Sequence, residues 1–199
     1  VIFVAYGRNE SFRGPDGLAA FRDQLGTLCD DLRTATRAEA PADVRLVLVA
    51  PHPFEGPDAE ARNVALAEYC EVIRETAAAT QAGLVDLFAD LVGELPAGTA
   101  ATDNGVHLSA AGYAAAARVF ATACGTSLPA DFVTRSAAVR QLVIEKNRLF
   151  FHRWRPANET YIFLFRKHEQ GNNAVEIPQF DPLVEAAEAE VRSAARQLQ

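Results

Sequence analysis

The stretch Val1-Ile2-Phe3-Val4-Ala5-Tyr6-Gly7-Arg8-Asn9-Glu10 decides the fold. Six apolar residues, mostly β-branched or aromatic, run without interruption and then give way at a glycine to three polar side chains. Alternate side chains of a pleated strand face opposite ways, so an unbroken apolar run predicts a strand buried on both faces. Two further runs repeat the pattern, residues 44–50, which end at Pro51-His52-Pro53, and residues 83–88. Between the runs the spacing is helical. Residues 17 to about 38 carry Leu18, Phe21, Leu25, Leu28 and Leu32, and residues 58 to 80 carry Val64, Leu66, Tyr69 and Ile73. A Pro/Gly-containing loop at 95–99 leads to residues 102–111 and then to an alanine-rich helix ending at Cys124. Apolar strands alternating with amphipathic helices predict an α/β fold, a three-layer α/β/α arrangement around a parallel sheet. Such sheets bind ligands beyond the carboxyl ends of their strands. Two polar clusters fall there, residues 7–11 after the first strand and residues 104–107 in the loop after the third.

At 199 residues the chain has the size of one domain, or of one domain with an appendage. Half of it is apolar and no biased tract dominates, which predicts a packed core. A net charge of −7 argues against a general nucleic-acid binder. No apolar run approaches the roughly 18–20 residues that cross a bilayer. Cys29, Cys70 and Cys124 stand singly, so they read as small buried hydrophobes and leave the redox compartment open. There is no methionine and the chain opens inside an apolar run. The expectation is a piece of a longer polypeptide, in which case the lack of a leader carries no information about export.

Two clusters have chemical potential. Asn9, at a strand's carboxyl end, can aim its amide N–H into a cleft and stabilise an oxyanion; Gly and Asn also suit a plain turn there. In Asp103-Asn104-Gly105-Val106-His107-Leu108, a loop histidine just before a helix can act as a general base near neutrality, with an acidic neighbour to orient it. A surface or capping histidine is the alternative. Ser109 suits the N-cap of the following helix. His52 between two prolines reads as a rigid turn or as lining of the cleft mouth. Asp86, in the third strand, reads as a partner for backbone groups at the sheet end.

Together the clusters resemble the SGNH (GDSL-like) hydrolases over about residues 1–125. Gly7-Arg8-Asn9-Glu10 resembles that family's GxND block, and Asp103–Tyr113 its DxxH block with the L-(S/N)-x-x-G-Y continuation. The resemblance implies a flavodoxin-like parallel sheet, incomplete at its N-terminal side, and a serine esterase acting through an acyl-enzyme. Asn9 is then the side-chain oxyanion donor, Gly7 its backbone support, and His107 the base that activates the serine. Two departures stand out. Asn104 occupies the place of the family's acid, three residues before the histidine; Asp103 takes over if the loop bulges, and otherwise Asn104 orients the ring. The family's GDS serine block is absent. Of Ser11, Ser109, Ser127, Ser136 and Ser193, none has a GDS-like context, and Ser11 suits a turn or cap. The chain as given is thus expected to be inert.

The expected substrate is a small-molecule or carbohydrate ester, acetylated carbohydrate first and lysophospholipid second. Neither nucleic acid nor a membrane span is implied, and further domains of a larger polypeptide are natural partners. No cofactor or metal is implied. The alternative is a non-catalytic carbohydrate-binding module of the same fold. A nucleotide-binding reading falls behind because no GxGxxG or GxxxxGK[ST] loop follows a strand. Residues 1–128 read as the hydrolase-like domain and 129–199 as a C-terminal extension packed on it. The extension holds predicted helices at 132–147 and 181–198 with a loop-like stretch at 171–178. It also contains a basic and aromatic stretch from Arg140 to His168, suited either to packing or to substrate contact. Residues 150–169 are expected to fold over the rim of the cleft.

Overall fold

The computed structural model describes residues 1–39, 44–155 and 177–198, with side chains omitted at 36–39. The chain divides into two compact units, Val1–Leu128 and Pro129–Gln199.

In the first unit, β1 (Ile2–Ala5), β2 (Leu46–Ala50) and β3 (Gly83–Asp86) form a parallel sheet in that order, with Val4 opposite Leu48 and Val49 opposite Val85. The central strand explains the layering. Leu46, Leu48 and Ala50 face one side and pack with Phe21, Leu25 and Cys29 of α1 (Leu18–Glu39) and with Leu66, Tyr69 and Ile73 of α2 (Ala59–Thr80). Val47 and Val49 face the other side, against Val85, Leu87, Leu91 and, from α4 (Ala110–Ala123), Ala115, Ala116 and Val119. β2 and β3 each contribute to two separate cores, which is why their apolar runs are continuous. Burying one Leu or Val of this kind is worth about 1.5–3 kcal/mol.

Three features differ from the sequence expectation. Among the described residues β1 is an edge strand, and it is not fully buried; Phe3 is 49% exposed and Tyr6 54%. The third strand stops at Asp86, because its carboxylate accepts the Ala89 N–H (3.0 Å) and caps a short helix α3 (Leu87–Asp90), followed by a 3-10 turn at Leu91–Glu94. Asp86 also pairs with Arg74 Nε at 2.6 Å. Val64 on α2 faces solvent, 67% exposed.

In the second unit, α5 (Phe132–Arg135) and α6 (Ala137–Trp154) are followed by a 3-10 turn (Ile177–Gln179) and α7 (Phe180–Arg196). Lys146 pairs with Glu188 at 3.0 Å and Arg153 with Asp181 at 2.7 Å. Partners thus descend one helix as they climb the other, so α6 and α7 pack antiparallel. The first helix runs on past the expected residue 147 because the apolar and aromatic positions Leu149, Phe150 and Phe151 continue it. Residues 156–176, including most of the basic and aromatic stretch expected at the cleft rim, lie outside the described residues. No described helix is long and apolar enough to cross a membrane.

Candidate active site

The site grows from the carboxyl edge of the sheet, from the loops that leave β1 and β2 and from the loop between the 3-10 turn at Leu91–Glu94 and α4. After β1 the chain turns at Gly7, whose φ of +111° is costly for any residue with a Cβ; an added Cβ would also lie 2.9 Å from Ile73 Cδ1. The Gly7 N–H donates to Glu10 Oε2 (2.8 Å), and the Gly7 carbonyl accepts the Ser11 N–H (3.0 Å). These bonds bend the chain into a 3-10 helix, Glu10–Gly17, with Asn9 at its start. The Asn9 side chain does not cap that helix and is exposed. It lines a cavity of about 400 Å³ with Tyr6, Arg8, Glu10, Pro51 and His52. Ser11 is buried, and its hydroxyl donates to the Arg8 carbonyl at 2.7 Å.

Arg8 links this turn to the loop after β2. Its guanidinium stacks over the Phe54 ring, 4.5 Å from the centroid, and Nη2 donates to the His52 carbonyl. Burial pushes the Arg8 pKa down, and Nη1 is buried without a partner among the described residues. His52 is only 8% exposed, and its Nδ1 lies 3.0 Å from the Pro53 carbonyl. Burial, then the Arg8 charge, hold His52 below the usual histidine pKa. The Asn63 side chain clamps Phe54, accepting its N–H (2.7 Å) and donating to its carbonyl (2.9 Å).

Glu55 ties the same loop to the third. Its carboxylate accepts the N–H groups of Ala101 (2.9 Å) and Thr102 (2.8 Å) and the Thr102 hydroxyl. Burial pushes the Glu55 carboxyl up, but these donors outweigh it and hold the pKa below the usual range. The Glu55 N–H donates to Gly105 O at 3.2 Å.

The third loop is closed on itself. Thr102 and Leu108 form an antiparallel bridge, and the Asp103 N–H donates to the His107 carbonyl at 2.9 Å. Asn104 Oδ1 accepts the N–H groups of Val106 (3.1 Å) and His107 (2.9 Å), and Asn104 Nδ2 lies 2.9 Å from His107 Nδ1. The loop does not bulge to bring Asp103 onto the ring. Its backbone is pinned across the loop mouth, and the side chain that meets His107 Nδ1 is that of Asn104. Beyond it, Ser109 Oγ accepts the Gly112 N–H (3.1 Å), capping α4 as its sequence position predicts.

Asn9 therefore sits in the turn after β1 and His107 in the loop that precedes α4, and the two loops are joined through residues 52–55. The three residues that do the joining, Arg8, His52 and Glu55, were not legible as such. Their only signal is that each is polar and follows a strand's carboxyl end. Asp86 is spent on its cap and on Arg74. Among the described residues no three His, Cys, Asp or Glu side chains converge as metal ligands would.

No curated protein matches the sequence. Solved structures do match, among them two with 23% identity and a TM-score of 0.48 over 63% of this chain and 59% of theirs. One is a catalytic mutant of an acetylxylan esterase from Geobacillus stearothermophilus, the other a mutant acetyl-xylooligosaccharide esterase from Geobacillus. The chain thus spans 59% of the length of these solved relatives. Residues 1–115 match the model of the GDSL-like lipase/acylhydrolase family, more than half of the 199 residues, and it is to this family that the chain belongs.

Proposed function

We propose that the chain carries the oxyanion donor and the general base of a serine ester hydrolase acting on small acyl esters, acetylated carbohydrates foremost. One observation carries this reading: the Asn9 turn and the His107 loop are both fastened to residues 52–55 at the carboxyl edge of the sheet. The Asn9 amide, not used as a cap, donates to the carbonyl oxygen as it gains charge, worth about 2.7–4 kcal/mol in a well-placed case. Gly7 supports it by allowing the turn. His107 takes the proton from a serine hydroxyl and returns it to the leaving alcohol, and water then releases the acyl group by the same route. The cavity beside Asn9, about 400 Å³ with Arg8 and Glu10 on its wall, suits a small polar ester.

The chain's own serines do not fit the nucleophile. Ser11 is bonded to Arg8 O, Ser109 caps α4, and the Ser136 hydroxyl donates to Phe132 O. Ser127 follows α4 and Ser193 lies within α7. We infer that the nucleophile lies outside these 199 residues and that the chain alone does not turn over esters.

The test is hydrolysis of p-nitrophenyl acetate and of acetylated oligosaccharides by the full gene product, beside its His107→Ala variant and the 199-residue chain alone. Expected are turnover in the first, a drop on the order of 10²–10⁴-fold in the variant, and none in the isolated chain. Wild-type turnover by His107→Ala would sink the assignment. The Asn104 amide on His107 favours a second reading, a carbohydrate-binding module without catalysis. Binding of acetylated oligosaccharide with no acetate released by the full gene product would support it.

A further inference from the structure

We infer that Asn104 is a positioning residue that holds the neutral His107 ring in the tautomer with its proton on Nε2. The argument rests on donor and acceptor counting. An amide oxygen has two lone pairs, and those of Asn104 Oδ1 are taken by the N–H groups of Val106 (3.1 Å) and His107 (2.9 Å). Those two bonds also fix which end of the amide is oxygen, because the flipped amide would set its NH₂ against two N–H donors. The Asn104 NH₂ therefore faces His107 Nδ1, 2.9 Å away. Asn104 Oδ1 is the more distant atom at 3.2 Å and is already committed. Two donors cannot share one hydrogen bond, so Nδ1 must be the acceptor. In the neutral ring that leaves the proton on Nε2.

The geometry is also rigid. Asn104 is locked by its two main-chain bonds, the loop is closed by the Thr102–Leu108 bridge and the Asp103-to-His107 bond, and the Thr102 hydroxyl accepts the Gly105 N–H at 3.0 Å. A carboxylate in place of the amide would keep an oxygen for both N–H donors and offer a second one to Nδ1–H, freeing Nε2 to accept a proton. The catalytic consequence rests on the ester-hydrolase reading: a ring protonated at Nε2 presents the wrong nitrogen to a serine hydroxyl, and its proton must move before it can act as base. The tautomer itself does not depend on that reading.

The experiment uses the uniformly ¹⁵N-labelled 199-residue chain. Long-range ¹H–¹⁵N correlation of the imidazoles is recorded at rising pH until the imidazole shifts no longer change, so that the neutral rings are observed. His107→Gln identifies the His107 signals by their loss. The wild type should show Nδ1 as the unprotonated nitrogen and Nε2 as the protonated one. Asn104→Asp should reverse the two, with the Val106 and His107 backbone amide signals retained. A wild-type ring protonated at Nδ1, or a pattern unchanged in a folded Asn104→Asp variant, would overturn the inference. If that variant does not fold, the wild-type spectrum decides alone. A confirmed tautomer alongside an inactive full gene product would leave this inference standing and remove the hydrolase reading.

Discussion

Glu55 accepts three hydrogen bonds from Ala101 and Thr102, residues 46 and 47 positions further along the chain. Replacing it with alanine leaves part-buried donors unmet and should cost about 3 kcal/mol in urea unfolding. Amide exchange at residues 101–107 should quicken with it. Because the folded carboxyl titrates below its unfolded value of ~4.3, Glu55 stabilises the fold above that pH and loses this contribution as acid protonates it. His52 acts in the same direction at a higher pH. Its folded pKa lies below ~6.5, so the neutral ring supports the fold fully above that value and less as pH falls. Stability followed by urea midpoint should decline in both windows. His52→Gln should flatten the upper window and Glu55→Gln the lower; an unchanged slope in either variant would refute the corresponding assignment. At this scale residue type and loop position suffice to nominate Asn9 and His107, and both loops prove to be fastened to residues 52–55. Arg8 and Glu55 were not legible, since their meaning lies in partners on other loops. The choice between Asp103 and Asn104 was not legible either, because it turns on how the loop closes.

Helix α4 shows why a glycine belongs in the block after His107. A Cβ on Gly112 would overlap the Ala101 carbonyl oxygen, which already accepts the Ser109 N–H at 2.8 Å. Gly112→Ala should therefore push the helix off its loop, with a loss of roughly 1–3 kcal/mol measurable as a lower Tm. A Tm equal to or above that of the wild type would contradict the packing described. In the central strand, Leu48 is fully buried, and Leu48→Ala should cost about 2–5 kcal/mol. Helical spacing located α1 and α2 well, since burial of one face imposes it. The end of β3 was hidden, because Leu87 and Phe88 continue an apolar run while the Asp86 side chain starts a helix. Val64 fits a helical apolar pattern yet lies off the packed face.

On the scale of the molecule, the three layers could be read from the order of runs and spacings, but the position of β1 in the sheet could not. An apolar run looks the same in a central strand and in one with a single neighbour. Among the described residues β1 pairs with β2 alone, and Phe3 and Tyr6 remain half exposed beside a groove that reaches Leu28 and Leu32. A bare apolar edge recruits other chains. The 199-residue chain should therefore show concentration-dependent self-association in sedimentation, and Phe3→Lys should reduce it; a monomer at all concentrations would argue that the edge is covered. The same edge gives the molecule a use in two pieces. A separately made strand with matching apolar spacing has a place to zip along β1, so that fusing each piece to one member of an interacting pair would turn their meeting into a measurable reassembly.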